Sequence, residues 1–299
     1  MFTELSAWDL WAVLSKFFAY LSCLLAVGTT LFMLANGDLI KDQRKTLLKL
    51  IIVAVLAGAT ASLVQFGVQA GRLLDEGIAG MLDPEMLDLV KDAPLGTSVF
   101  IRIVGLLLMM IAIFQHPVTY WIAGAGALVT AASFSFVGHG TGEPRWVLTT
   151  LVTLHVLGIS FWIGALLPIR RAVSKDSDLV SGGELAHRFG QQAQWIVGGL
   201  VVAGAVLAIL IAGSPLSLVT TQYGMTLIIK LVIVSLLLAL AAANKLRFVP
   251  AIRQGDASAA HHLRQAVSLE MIAVAVILLV TAILTTITPL PEAMEITNG

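Results

Sequence analysis

Cysteine is nearly absent from this chain, and Cys23, the single copy, excludes an internal disulfide and every CxxC, CxxxC or Cys-Pro-Cys metal pair. Charge is scarce too: Asp, Glu, Lys and Arg make up 12% of the residues, with eighteen acidic and eighteen basic side chains. Bulk electrostatic attraction to nucleic acid has no basis in a net charge of zero. No GxxxxGK[ST] phosphate loop occurs, and the polar connections are too short to hold a soluble ATPase domain. Any transport must therefore be passive or driven by a gradient. A basic leader is missing as well, because the N-terminus opens on Glu4 and Asp9 and its apolar run is interrupted by Lys16, so that run is expected to be a retained first helix.

Apolar side chains are what the sequence has in excess: 58% hydrophobic residues and a mean hydropathy of +0.93 lie outside the range of a soluble domain among 299 residues. About twenty apolar residues cross ~30 Å of hydrocarbon as a helix. Eight such stretches can be marked: Trp8 to Ala35, Thr46 to Arg72, Thr97 to Gln115, Val118 to Val137, Trp146 to Ile169, Gln194 to Ala212, Tyr223 to Ala243 and Ala266 to Ile287. The expected fold is an all-α, polytopic membrane bundle of about eight helices, a single domain over residues 1–299.

Basic residues fix the expected orientation. Lys41, Arg44, Lys45 and Lys49, then Arg170, Arg171, Lys175 and Arg188, then Lys245, Arg247, Arg253 and Arg264, all follow odd-numbered spans, which predicts that side to be cytoplasmic. Asp75, Glu76, Asp83, Glu85, Asp88 and Asp92 lie on the opposite side, and both termini are expected to face outward.

Within this frame a few polar residues stand out. His155 lies nine residues beyond Trp146, ~13 Å along a helix and inside the hydrocarbon zone. It is either hydrogen-bonded between helices or a metal or cofactor ligand. Ile159 and Trp162 share its face, and Gly158 permits a close neighbour. His139 and Glu143 occupy the turn GHGTGEPR just before that helix, where each is either solvated or able to complete a metal site. Lys230 and Arg102 either snorkel to the surface or neutralise a buried carboxylate, and Glu270 is expected near the cytoplasmic end, too far from Lys230 to pair. Gln65 and Gln69 are further polar groups at membrane depth. Met109, Met110, Met81, Met86 and Met225 are thioether candidates for Cu(I), although a lipid-facing or packing role is the better reading of each. Asn244 to Pro250, NKLRFVP, reads as a helix end at the basic surface.

Taken in order, VGHG from Val137, LHVLGISFWIGALLP from Leu154, RFG from Arg188, YGMTLIIK from Tyr223, ANKLRFVP from Ala243 and LE at Leu269, with QFGVQAG and LGTSVFIRI before them, resemble the CopD family of bacterial copper resistance proteins. The resemblance runs over essentially the whole chain. It implies an inner-membrane protein that takes up or delivers copper, often beside a periplasmic CopC-like copper-binding partner, and no enzymatic activity. It raises His139 and His155 to expected copper ligands, makes Trp162 a candidate lining residue, and gives Lys230 and Glu270 a structural or gating role. One position departs: where relatives carry a histidine in the first helix, this chain has Ala19, with Tyr20 beside it. The alternatives are a haem- or quinone-linked electron-transfer protein, since intramembrane histidines also hold haem iron, and a non-transporting membrane partner of a copper chaperone.

Overall fold

The computed structural model describes residues 6–74, 77–137, 145–174, 178–212 and 222–287. In chain order the α-helices are α1 (Ala7–Asn36), α2 (Arg44–Leu74), α3 (Gly77–Gly80), α4 (Pro84–Asp92), α5 (Pro94–Met110), α6 (Pro117–Ser133), α7 (Arg145–Ala172), α8 (Leu179–Ala212), α9 (Gln222–Ala243), α10 (Val249–Ile252) and α11 (Ala257–Leu284). A π-helical turn, Asn244–Phe248, joins α9 to α10. No strand occurs among the described residues. Among the described residues seven stretches are long and apolar enough to cross a membrane, the sixth running unbroken through the π turn as Gly224–Ile252. The 34-residue α8 contains the eighth apolar run, from Gln194 to Ala212. The protein is thus an all-α polytopic membrane protein.

Two helices are longer than their apolar runs. α8 starts fifteen residues before Gln194, and α11 starts nine before Ala266. Polar turns extend both: Asp256 caps α11 by accepting from the Ser258 and Ala259 amides, which fixes the helix start upstream of anything hydropathy detects. The polar first half of α8 is tied to the end of α1. Arg188 grips both oxygens of Asp38 at 2.7 Å, and Asn36 exchanges amide hydrogen bonds with Gln192. The bonds from Arg188 hold the Asp38 carboxyl below the ordinary carboxylate range.

α1 lies at the centre and packs along α2, α7, α6 and α11. Its approach to α7 leaves no room for side chains: a Cβ on Gly28 would overlap the Ser160 carbonyl, and one on Gly164 would overlap the Gly28 backbone. Ser160 and Gly164 are four residues apart and share a face of α7, so the small-xxx-small pattern is the physical basis of the contact. Beside it Phe32, Phe161, Phe189 and Trp162 form one aromatic cluster, with Phe161 stacked on Phe189 at 6.1 Å and Trp162 edge-on to Phe189 at 5.9 Å. By contrast α9 is peripheral, packing chiefly on α11, with Ile229, Leu231, Val232 and Leu236 exposed as in a lipid-facing helix.

Gly28→Leu or Gly164→Leu is expected to destabilise the fold by about 1–3 kcal/mol or more through overpacking. Gly198→Leu, where nothing lies within 4 Å of a built Cβ, should be neutral. Thermal unfolding of the three variants in detergent checks this, and equal melting points would refute the close crossing.

Candidate intramembrane functional site

His155 sits ten residues into α7 and is half-buried, yet its Nδ1 is sealed from solvent and has no hydrogen-bond partner among the described residues. An orphaned imidazole nitrogen at membrane depth carries a desolvation penalty that a ligand would relieve. Lys230 of α9 is half-buried. His139 and Glu143 lie outside the described residues. Among the described residues no group of three or more His, Cys, Asp or Glu side chains could hold a metal.

About two turns further along α7 comes a second polar centre. Trp162 is buried, and its indole Nε1 donates to Glu270 Oε2 at 3.3 Å, while Asn244 Nδ2 reaches Glu270 Oε1 at 2.6 Å. Glu270 is 3% exposed. Glu270 lies thirteen residues from Ala257 and fourteen from Leu284, but because the first nine residues of α11 precede the apolar run it stands only four residues, ~6 Å, inside that run, on the side of His261, His262 and Arg264. Asn244 meets it from α9 and the π turn. NKLRFVP is not a helix end, because the π turn carries the helix on to Ile252 and brings the Asn244 amide to the carboxyl. In sequence, Asn244 reads only as a polar residue beside basic ones. Lys245, its neighbour, donates to the Gly190 carbonyl at 3.0 Å and ties the π turn to α8.

The remaining candidates have other work. Tyr20 shares Thr285 with Lys16: Lys16 Nζ donates to the Thr285 carbonyl at 2.8 Å, and the Tyr20 hydroxyl lies 3.5 Å from Thr285 Oγ1. Thr285 follows the last residue of α11, so Lys16 closes that helix C-terminus with a positive charge. Ala19 is completely buried. Met109 is buried in the core, its sulfur accepting from Thr30 Oγ1 at 3.5 Å, which makes it a packing residue in this conformation. Arg102 neither snorkels nor meets a carboxylate. It is 1% exposed and donates to Ser133 at 3.2 Å, Ser62 at 3.4 Å, Gln65 at 3.5 Å and Ser98 at 2.9 Å, with its guanidinium 4.1 Å from the Phe134 ring centroid. Sequence reasoning could flag the arginine but not the set of neutral acceptors, which come from α2, α5 and α6.

Two sequence families match the chain. Residues 6–146 match the N-terminal domain of copper resistance protein D-like proteins, and residues 183–284 match copper resistance protein D itself. The chain belongs to the copper resistance protein D family. Family coverage includes Tyr20, Arg102, Met109, His139 and Glu143 in the first stretch and Lys230, Asn244 and Glu270 in the second, whereas His155 and Trp162 lie between the two. Similar proteins are inner membrane protein YebZ of Escherichia coli K12, 27% identical over 78% of this chain and 81% of that protein, and copper resistance protein D of Pseudomonas syringae pv. tomato, 28% identical over 82% and 84%. No solved structure matches.

Trp162 and Glu270 should be energetically coupled. In a double-mutant cycle of Trp162→Phe with Glu270→Gln, a coupling of about 0.5–3 kcal/mol is expected from unfolding titrations, and strict additivity would show that the indole and carboxyl are not in contact.

Proposed function

We propose that this protein passes copper across, or delivers it at, the bacterial inner membrane through a histidine-containing entry near the periplasmic face. The observation that carries the reading is the sealed, partnerless Nδ1 of His155 inside a membrane helix of a copper resistance family member. His139, in the turn that leads into the same helix, and Glu143 are the proposed additional ligands, with Trp162 below. Imidazole accepts either Cu(I) or Cu(II), so copper is treated as cargo rather than as a resident cofactor.

The orientation proposed is the one the basic residues dictate, with Lys41, Lys45, Arg171 and Arg253 cytoplasmic and both termini periplasmic. The whole chain works as one domain, supported by a buried core that takes residues from α1, α2, α5, α6, α7, α8, α10 and α11, Leu24, Leu106, Phe161, Leu185 and Leu278 among them. A CopC-like periplasmic copper-binding protein is the proposed donor or acceptor, and the protein acts without catalysing a chemical conversion. Direction is assigned as import by the same scheme, from the histidine entry inward.

Cells expressing His155→Ala are expected to accumulate copper no better than cells without the protein, at membrane expression equal to wild type. Copper content of the purified protein should fall in parallel. Unchanged accumulation together with unchanged metal content would refute the assignment of His155.

A further inference from the structure

We propose that Glu270 is a buried proton-binding site between α7, α11 and the π turn, alternating between a neutral acid bonded to Asn244 and a carboxylate held by the Trp162 indole and the Asn244 amide. Four observations on one side-chain cluster carry this. Glu270 is 3% exposed in a membrane helix, and a carboxylate shut away from water is costly. Both of its hydrogen-bond partners among the described residues are neutral. The Asn244 amide oxygen is buried and unpartnered although its amide nitrogen lies beside the carboxyl. The Asn244 to Glu270 contact is 2.6 Å, shorter than an ordinary N–H to oxygen bond and within the range of an acid O–H donating to a carbonyl.

These facts fit together if the amide turns over, an exchange of nearly equal shapes. In the neutral state Glu270 Oε1–H donates to the Asn244 carbonyl oxygen, which relieves the orphaned acceptor. In the ionised state the amide presents its N–H instead, and the indole N–H supplies the second bond. The proton forms the Oε1–H bond on leaving water and returns to water when that bond breaks, and no electrons are exchanged. A proton suits the cluster better than a metal. Oxygen atoms from one carboxyl and one amide are too few for Na⁺ or Ca²⁺ and too hard for Cu(I).

The surrounding charges do not compensate the carboxylate. On α1, Lys16 and Tyr20 are engaged with Thr285, and on α7 Arg170 donates to Ser268 at 2.9 Å while His155 sits towards the other end of the span. Lys245 bonds Gly190, Arg247 lies over Phe248, and Arg253, just beyond α10, pairs with Glu184. Lys230 on α9 is fourteen residues from Asn244, ~21 Å along the helix. On α11 itself, His261, His262 and Arg264 stand at the basic end. Among the described residues no cation is within ion-pair distance of Glu270. A group of this kind would couple the passage of copper to a proton gradient. That coupling rests on the copper function proposed above, whereas the proton site itself does not.

Infrared difference spectroscopy of the purified full chain in lipid nanodiscs, titrated with pH, tests the site. Wild type is expected to show the C=O band of a buried protonated carboxyl at neutral pH, bleached at alkaline pH, absent in Glu270→Gln and shifted in Asn244→Leu. Glu270→Asp keeps a carboxyl and should move the band rather than abolish it, which covers a failure of the glutamine variant to fold. A neutral-pH spectrum in which neither Glu270 variant changes a protonated-carboxyl band would overturn the proposal. In proteoliposomes given Cu(I), wild type should move protons with copper and Glu270→Gln should not. Copper flux with no proton movement overturns the coupling alone, and no copper flux in wild type overturns the copper reading while the infrared result stands.

Discussion

The contact between α1 and α7 at Gly28, Ser160 and Gly164 is the constraint on which the rest of the structure depends. Helices in lipid gain little from apolar burial, so they associate where backbones can approach and side chains interlock. Once Ser160 and Gly164 are pressed against α1, the rotation of α7 is fixed. Trp162, two residues from each, is turned by about 200° to the other side of the helix. There it meets Phe189 of α8 and the Glu270 carboxyl of α11. A packing decision made by two glycines and a serine thus aims the polar centre of the molecule.

The second organising demand is satisfaction of polar groups at membrane depth, and it is met in three different ways. Arg102 is surrounded by hydroxyls, one amide and an aromatic face rather than by a counter-charge. Lys16 spends its ammonium on the carbonyl at the end of α11. Glu270 is held by two neutral donors. His155 Nδ1 is left over, and with it the Asn244 oxygen. Among the described residues the oxygens of Thr29, Gln43, Tyr120, Thr130, Ser160 and Thr286 are unpartnered too, so what sets His155 Nδ1 and the Asn244 oxygen apart is their chemistry: a ring nitrogen able to ligate a metal, and an amide oxygen beside a buried carboxyl.

Much of the fold was legible beforehand, because ~20-residue apolar runs have few alternatives in a bilayer, and all eight appear as helices. The site was legible residue by residue but not as a constellation. Trp162 and Glu270 could each be singled out as a large or charged side chain in an apolar run, and the low prospect of a Lys230–Glu270 pair followed from their depths. Their union with Asn244 could not be read, since it needs a π turn that lets a helix pass through NKLRF. Hydropathy windows register side-chain apolarity and are blind to it. Met109 and Tyr20 had suitable chemistry for copper, and their neighbours Thr30 and Thr285 engage them otherwise.

By itself the sequence determined that the chain lives in a membrane, how many times it can cross, which ends are basic and which residues are expensive to bury, because each of these is set by local composition against the solvent properties of a bilayer. Only the tertiary structure decided which expensive residues share a partner. That outcome turns on helix rotation and on where each helix begins, and both are fixed by backbone contacts and caps that join segments more than a hundred residues apart, as Trp162 and Glu270 are.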